Sequence, residues 1–207
     1  MQVKINAAAS MIAKFIRAKI VVMLSGSPGI GKSHIVHQIA AEYGLKVIDL
    51  RLAQCDPTDL AGFPTITGEK ASYKPMDTFP IEGDDIPKGY NGWLLFLDEL
   101  NSAAPSVQAS SYKIILDRMV GNHNLHKNVA IVAAGNLETD NAIVQPMSTA
   151  LQSRMAHLEL VVDAKEWVEW ASSHGIDYRI TSYINFKPDA LYTFSPDHTD
   201  KTYASPR

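Results

Sequence analysis

The segment GSPGIGKS, from Gly26 to Ser33, constrains the fold of this chain more than any other part of its sequence. It matches the pattern G-x-x-x-x-G-K-[ST], follows an apolar run at 20–25 and precedes a helical pattern. Its glycines let the backbone turn tightly, so that N–H groups point inward at an anion, and the positive end of a helix lies behind them. A glycine-rich turn with a surface lysine is the alternative. The context favours a phosphate-binding loop in which Lys32 reaches the outer phosphates and Ser33 ligates Mg²⁺.

An apolar run that ends in two acids is the second signal. In LLFLDEL, at 94–100, Asp98 and Glu99 follow residues that predict a buried strand. Burying a carboxylate is costly unless a cation or hydrogen bonds compensate for it. We expect Asp98 to hold the water shell of Mg²⁺ and Glu99 to orient and polarise an attacking water. Two solvated acids at a strand end are the alternative interpretation.

Five short apolar runs alternate with helical patterns along the chain. They lie at 20–25, 46–52, 92–98, 128–134 and 157–162. Near-continuous apolar runs suit strands that are buried on both faces of a parallel sheet. Helical periodicity follows Gly31 and begins again at Pro105, so the alternation predicts a doubly wound α/β domain. Asn136 closes the fourth run, where its amide could help to place a water, although asparagine at a strand end is commonly a turn former.

Two regions depart from this alternation. Residues 53–91 contain five prolines and predict loops that can include a short hairpin. Beyond Val162, helical patterns at 163–174 and 177–186 precede a polar tail. We place a domain boundary near 162, with a nucleotide-binding α/β domain at 1–162. Residues 163–207 form a helical unit that looks too small to close a core of its own.

Composition excludes several classes of protein. Hydrophobic residues make up 46% of the 207 residues and the net charge is −3, which excludes a disordered chain and gives no global basic field to attract nucleic acid. Cys55 is the single cysteine, so no internal disulfide can form. The start, MQVKINAAASMIAKF, lacks a long apolar segment, and no stretch reaches about 18 apolar residues. We expect a cytoplasmic protein with no membrane span, and the acidic balance weighs against a nucleic-acid partner.

The motifs GSPGIGKS, LLFLDEL, AAGN and ALQSRM occur in an order and spacing that resemble the AAA+ ATPases, a branch of the P-loop NTPases. DPTDLAGFP at 56–64, LDRMVG at 116–121 and AAGNLE at 133–138 look more specifically MoxR-like. The resemblance covers about residues 15–163. It implies a five-stranded parallel sheet of order 5-1-4-3-2, followed by a helical lid of which 163–207 is a part.

The resemblance also implies the roles of individual residues. The ATP-binding residues that it implies are Gly26, Ser27, Pro28, Gly29, Ile30, Gly31, Lys32, Ser33 and the adjoining His34. The His34 side chain itself is expected to pack or to lie at the surface. Asp98 and Glu99 match the Walker B pair, with Ser33 and Asp98 as Mg²⁺ ligands. Asn136 matches sensor 1, and Arg207 in the terminal SPR matches the start of sensor 2. Arg154 matches the arginine finger, a permanent cation that serves the site of a neighbouring subunit.

Partners and substrate follow from the resemblance alone. It implies a ring of identical subunits, usually six, that remodels a protein substrate and often works with a von Willebrand factor A-type partner protein. Two other functions stay open: a nucleic-acid motor or loader, and a nucleotide-gated assembly module with little turnover. Phe63 and Tyr73 could grip a polymer from a pore-facing loop, although we favour Phe63 packing under its own loop. His123 and His126 predict an ordinary turn, since no third metal ligand is near.

Overall fold

Six parallel strands form the central sheet of the chain. The computed structural model describes residues 1–140, 144–197 and 202–207. The strands of this sheet and of two separate hairpins are β1 (Gln2–Lys4), β2 (Val22–Ser25), β3 (Leu45–Arg51), β4 (Phe63–Thr67), β5 (Lys70–Lys74), β6 (Gly92–Asp98), β7 (Met119–Val120), β8 (His123–Asn124), β9 (Val129–Gly135) and β10 (Ala156–Val161). The sheet has the order β1-β10-β2-β9-β6-β3. The strand pairs β4–β5 and β7–β8 are separate antiparallel hairpins.

The doubly wound α/β class and the relative order of the five predicted strands are confirmed, but the predicted strand count is wrong. The predicted order 5-1-4-3-2 corresponds to β10-β2-β9-β6-β3, and β1 adds a sixth strand beside β10. Gln2, Val3 and Lys4 pair with Glu159, Leu160 and Val161. Three residues are too few to show a strand pattern, and β10 supplies the partner that makes them a strand.

Helices cover both faces of the sheet. They are α1 (Ile5–Arg17), α2 (Lys32–Glu42), α3 (Pro57–Ala61), α4 (Pro105–Tyr112), α5 (Thr149–Gln152), α6 (Ala164–Ser173) and α7 (Tyr178–Phe186). Short 3₁₀ turns lie at Leu52–Gln54, Leu100–Ser102, Glu138–Asp140 and Pro188–Leu191, and a π-helical turn lies at Lys113–Asp117. The predicted helices after Gly31 and from Pro105 are confirmed, while α1 was not predicted.

Alternate residues of the central strands point into two apolar cores. On β6, Leu95 and Leu97 face the core that contains Val107 of α4. Leu94 and Phe96 face the opposite core, which contains α1 and α2. All four of these strand residues are completely buried. This two-sided burial explains why the strands have near-continuous apolar sequences rather than alternating ones.

The hairpin β4–β5 corrects one expectation. Phe63 is 61% exposed and Tyr73 is 45% exposed, so Phe63 does not pack under its own loop. Within 53–91 the chain also forms a 3₁₀ turn and the short helix α3, whose first turn is closed by reciprocal Asp56 and Asp59 contacts. The predicted hairpin in this region is confirmed.

Helices α6 and α7 follow the last strand of the sheet. Lys4 Nζ lies 2.6 Å from a carboxylate oxygen of Asp163, the residue before α6. Trp167 of α6 donates its indole N–H to the Pro206 carbonyl oxygen at 3.1 Å. A division of the chain near residue 162 stays a prediction. In the described parts of the chain, no helix has the length and apolar character needed to cross a membrane.

Two phenylalanines test how far this packing determines stability. Phe96 is fully buried between the sheet and its helices, whereas Phe63 is largely exposed. We expect Phe96→Ala to lower the free energy of unfolding by about 3–5 kcal/mol, because it removes packed surface and leaves a cavity. Phe63→Ala, the matched control, should change it by less than about 0.5 kcal/mol. Urea denaturation followed by circular dichroism measures both, and equal effects would contradict the assignment of the core.

Candidate functional site

The loop Gly26–Gly31 joins the carboxyl end of β2 to the first turn of α2. Gly29 and Gly31 have φ angles of 79° and 102°, in the left-handed region that favours glycine. A Cβ on Gly26 would collide with the side chain of Ile30, which is itself 2% exposed and anchors the loop in the core. The loop geometry therefore depends on its glycines and on one buried isoleucine.

The ammonium group of Lys32 lies at the centre of the site. Its Nζ donates hydrogen bonds to the carbonyl oxygens of Gly26 at 2.6 Å and Ser27 at 3.1 Å. It also donates to Oδ1 of Asn136 at 3.0 Å. The structure thus joins two residues that are 104 positions apart in the chain. In this conformation the lysine donates to its own loop, at the place where an anion would compete for the same hydrogens.

Burial changes the protonation of this lysine. It lowers the pKa of Lys32 to about 8, although the nearby carboxylates of Asp98, Asp140 and Glu99 act in the opposite direction. Removing an ammonium group from water penalises its charged form, and neighbouring negative charges favour that form. The lysine is therefore charged at neutral pH and loses its proton at a much lower pH than an exposed lysine does.

Ser33, Asp98 and Glu99 form a second cluster next to the first. The Ser33 hydroxyl donates to Oδ2 of Asp98 at 3.3 Å, and the Glu99 backbone N–H donates to Oδ1 of Asp98 at 2.9 Å. Glu99 has a φ of 57°, an unusual value for a residue that is not glycine. The loop and the two acids are thus adjacent, as the sequence predicts.

These residues form an oxygen-lined site that Mg²⁺ can occupy. Mg²⁺ commonly binds through one or two carboxylates, substrate phosphates and several waters. The Ser33 hydroxyl and the Asp98 carboxylate fit that requirement. Among the residues described, no three His, Cys, Asp or Glu side chains cluster as a metal site would need, and this includes the region of His123 and His126.

Asn101 supports the site and was not predicted from the sequence. Its amide nitrogen donates to the Asn136 carbonyl oxygen at 2.8 Å, and its Oδ1 accepts from the Asn136 N–H at 3.2 Å. Asn101 is 5% exposed, and a Cβ on Gly135 would collide with its side-chain oxygen. The two-bond contact fixes the backbone of Asn136. The sequence signal that could have indicated this role is the polar Asn101 directly after the LLFLDEL run.

Residues from later segments of the chain also approach the loop. The Tyr192 hydroxyl donates to the Pro28 carbonyl oxygen at 3.1 Å, and burial raises the pKa of Tyr192. A Cβ on Gly29 would lie 2.9 Å from Ser205. The Ser27 hydroxyl donates to Oδ1 of Asp140 at 3.2 Å. Tyr192 and Asp140 were not predicted from the sequence, whereas Ser205 belongs to the terminal SPR segment that the resemblance matches to sensor 2.

His34, Arg154 and Arg207 are the remaining predicted site residues. The ring of His34 packs edge-to-face against Trp170 of α6, with 5.6 Å between ring centroids. Arg154, just after α5, is exposed and donates to the Ala150 carbonyl oxygen at 3.4 Å. Arg207 is exposed and lies two positions after Ser205 in the chain.

Comparisons with known proteins agree with this geometry. A family model described as "AAA domain (dynein-related subfamily)" matches residues 21–155. No curated protein matches the chain.

Three solved structures illustrate the likeness of fold. A Cytophaga hutchinsonii protein designated a candidate ATPase superposes with a TM-score of 0.57 and 16% identity, over 90% of this chain and 58% of that one. A variant of Thermotoga maritima RuvB gives a TM-score of 0.53 and 18% identity, over 87% and 51%. Brucella abortus NtrX in complex with ADP gives 0.50 and 16%, over 83% and 41%. The chain thus spans about half the length of these proteins, and identities this low show the fold alone.

The family match extends from the residue before β2 to the residue before β10. It includes the glycine loop, Lys32, Ser33, both acids and Asn136, which the structure brings to one edge of the sheet. The chain therefore belongs to the AAA domain family, dynein-related subfamily, and has the nucleotide-binding fold of an AAA+ ATPase.

Proposed function

We propose that this chain binds ATP together with Mg²⁺ and hydrolyses the bond to the γ-phosphate. The observation that carries the proposal is the convergence of Lys32, Asn136, Ser33 and Asp98 at the carboxyl ends of three neighbouring strands. Membership of an ATPase family supports it. The nucleotide-binding segment that we propose is Gly26, Ser27, Pro28, Gly29, Ile30, Gly31, Lys32, Ser33 and His34, the last through its backbone position.

Each residue of the cluster has a distinct proposed role. Lys32 exchanges its bonds to the loop carbonyls for bonds to the β- and γ-phosphates, because a charged oxygen is a stronger acceptor than an amide carbonyl. Ser33 and Asp98 hold Mg²⁺, which supplies positive charge to the phosphate oxygens. Glu99 orients and polarises the attacking water, and Asn136 helps to position it.

The site is completed, in this proposal, by a second copy of the chain. The Arg154 side chain is exposed and donates a hydrogen bond to the Ala150 carbonyl oxygen of α5. A guanidinium that is free to reach outward suits contact with the nucleotide of a neighbour in a homo-oligomeric ring, which we propose to be a hexamer. Arg207 is proposed to contact the γ-phosphate from the helical unit at 163–207, which we treat as separate from the α/β domain at 1–162.

The work done by such a ring is proposed to be MoxR-type remodelling of a protein substrate or partner complex. The exposed aromatic side chains of Phe63 and Tyr73, on the β4–β5 hairpin, are suited to contact with a polymer. The MoxR-like motifs of the sequence support a von Willebrand factor A-type protein as the proposed partner.

Two substitutions separate binding from hydrolysis. We expect Lys32→Ala to abolish ATP binding, because it removes the central cation of the loop. Glu99→Gln should bind ATP and lower turnover by about 100-fold or more, since an amide cannot polarise water as a carboxylate does. Calorimetry and a phosphate-release assay measure the two steps, with Glu69→Gln, an exposed hairpin acid, as the control. Unchanged turnover in both variants would remove the ATPase assignment for these residues.

The low pKa of Lys32 makes nucleotide affinity depend on pH. The free protein binds phosphates best with Lys32 protonated, and that form is lost as the pH rises through about 8. Between pH 7 and pH 9 we expect ADP to bind about tenfold more weakly. Lys32→Arg keeps its charge over this range and should show a much flatter profile. Calorimetric titrations at both pH values test this, and parallel profiles for the two proteins would contradict it.

Mixing two inactive variants tests whether Arg154 acts across a subunit boundary. Arg154→Ala should bind ATP normally and hydrolyse it slowly, while Lys32→Ala should not bind it. If the arginine serves a neighbour, mixed rings contain interfaces with an intact site and an intact arginine, so part of the activity returns. A mixture with no more activity than its components would contradict the role in trans.

Native mass spectrometry with Glu99→Gln and ATP gives the ring size. ATP-dependent assembly of an inactive wild type would favour the nucleotide-gated assembly module.

A further inference from the structure

A cavity of about 230 Å³ lies at the edge of the sheet opposite the phosphate loop. Its floor includes Val21, Leu45 and Val129, at or just before the amino ends of β2, β3 and β9. Because the strands are parallel, this edge is remote from the carboxyl ends that hold Lys32 and Asp98. No step of the proposed ATPase reaction uses it.

Four cationic residues line this cavity, and no acidic residue does. They are Arg17, Lys19, Arg118 and Lys127. Within the residues that the structure describes, none of the four lies within 4.0 Å of a carboxylate oxygen, and the recorded ion pairs are elsewhere. Like charges around one cavity repel one another unless an anion compensates for them.

The backbone at two of these cations is held in an unfavourable conformation. Lys19 has a φ of 58° and Arg118 a φ of 55°, and Glu99 is the other non-glycine residue with positive φ in the described chain. Lys19 follows α1, and Arg118 follows the π-helical turn at Lys113–Asp117. Glycine is the residue that fits such positions without strain. Strained non-glycine residues concentrate at functional sites, and Glu99 is an example within the proposed active site.

The two guanidinium groups are already positioned. Arg118 donates from Nη2 to the Val129 carbonyl oxygen, which holds the side chain against β9. Arg17 donates to the Tyr43 hydroxyl at 3.3 Å, with its guanidinium carbon 5.5 Å from the centre of that ring. A guanidinium that is fixed before binding loses less conformational entropy when it engages an anion.

We propose that this cavity is a binding site for a small phosphate-bearing anion. Two guanidinium groups provide paired N–H donors that match phosphate oxygens, and two ammonium groups add charge around them. The apolar floor leaves room for an uncharged part of the same ligand. The site is independent of the phosphate loop and of the proposed hydrolysis.

Inorganic pyrophosphate is a suitable probe, and the Lys32→Ala background excludes binding at the phosphate loop. We expect calorimetry to detect one pyrophosphate per chain in that background. Adding Lys19→Gly should weaken binding tenfold or more without loss of the fold, because glycine adopts the backbone conformation of residue 19 readily. Lys14→Ala, on α1 and outside the cavity lining, removes an equal charge and should change the affinity by less than twofold.

Four results would overturn the proposal. The first is the absence of pyrophosphate binding by Lys32→Ala protein that is folded by circular dichroism. The second is equal affinity with and without Lys19→Gly, and the third is an equal loss with Lys14→Ala, which would indicate a diffuse charge effect. Tighter binding of citrate than of pyrophosphate would show that the cavity selects carboxylates instead of phosphates.

Discussion

Lys32 bonds both to its own loop and to Asn136, and this contact depends on the alignment of neighbouring parallel strands. Ser25 at the end of β2 is in register with Gly135 at the end of β9. Leu97 of β6 is in register with Ala133 of the same strand β9. The residues that follow these positions therefore emerge at one edge of the sheet. A shift of register in either pair would separate the lysine from Asn136 or from the acids.

The two apolar cores hold that alignment. Central strands buried on both faces exclude water from their hydrogen bonds and fix the register through side-chain packing. Phe96 and Leu97, which point to opposite cores, precede Asp98 directly. The position of the Asp98 carboxylate thus depends on apolar residues that take no part in the proposed reaction. The core that contains α1 and α2 also buries Ile30, so this side chain holds the phosphate loop in place together with the glycines.

The buried polar groups of the site are mutually supported. Asn101 gives and accepts a hydrogen bond with the backbone of Asn136, and Gly135 leaves the space for it. An unpaired polar group in this position would carry the full cost of leaving water. Lys32, in the first turn of α2, is partly buried as well, and its own burial lowers its pKa to about 8.

Local patterns were sufficient for much of this protein. The glycine loop and the acids after a buried strand need little more than their neighbours in sequence, since tight turns and two-sided burial leave strong signatures. The edge strand β1 left none, because its identity depends on pairing with β10, more than 150 residues away. Phe63 was misjudged because the exposure of a hairpin side chain depends on what packs against it.

The sequence by itself determined the fold class, the phosphate loop and the pair of acids, because each is encoded by residues close together in the chain. Tertiary structure alone decided that Asn101 supports Asn136, that Tyr192 approaches the loop, and that four cationic residues line one cavity at the opposite edge of the sheet. These contacts join segments far apart in sequence, and no local periodicity records which distant surfaces will be packed together.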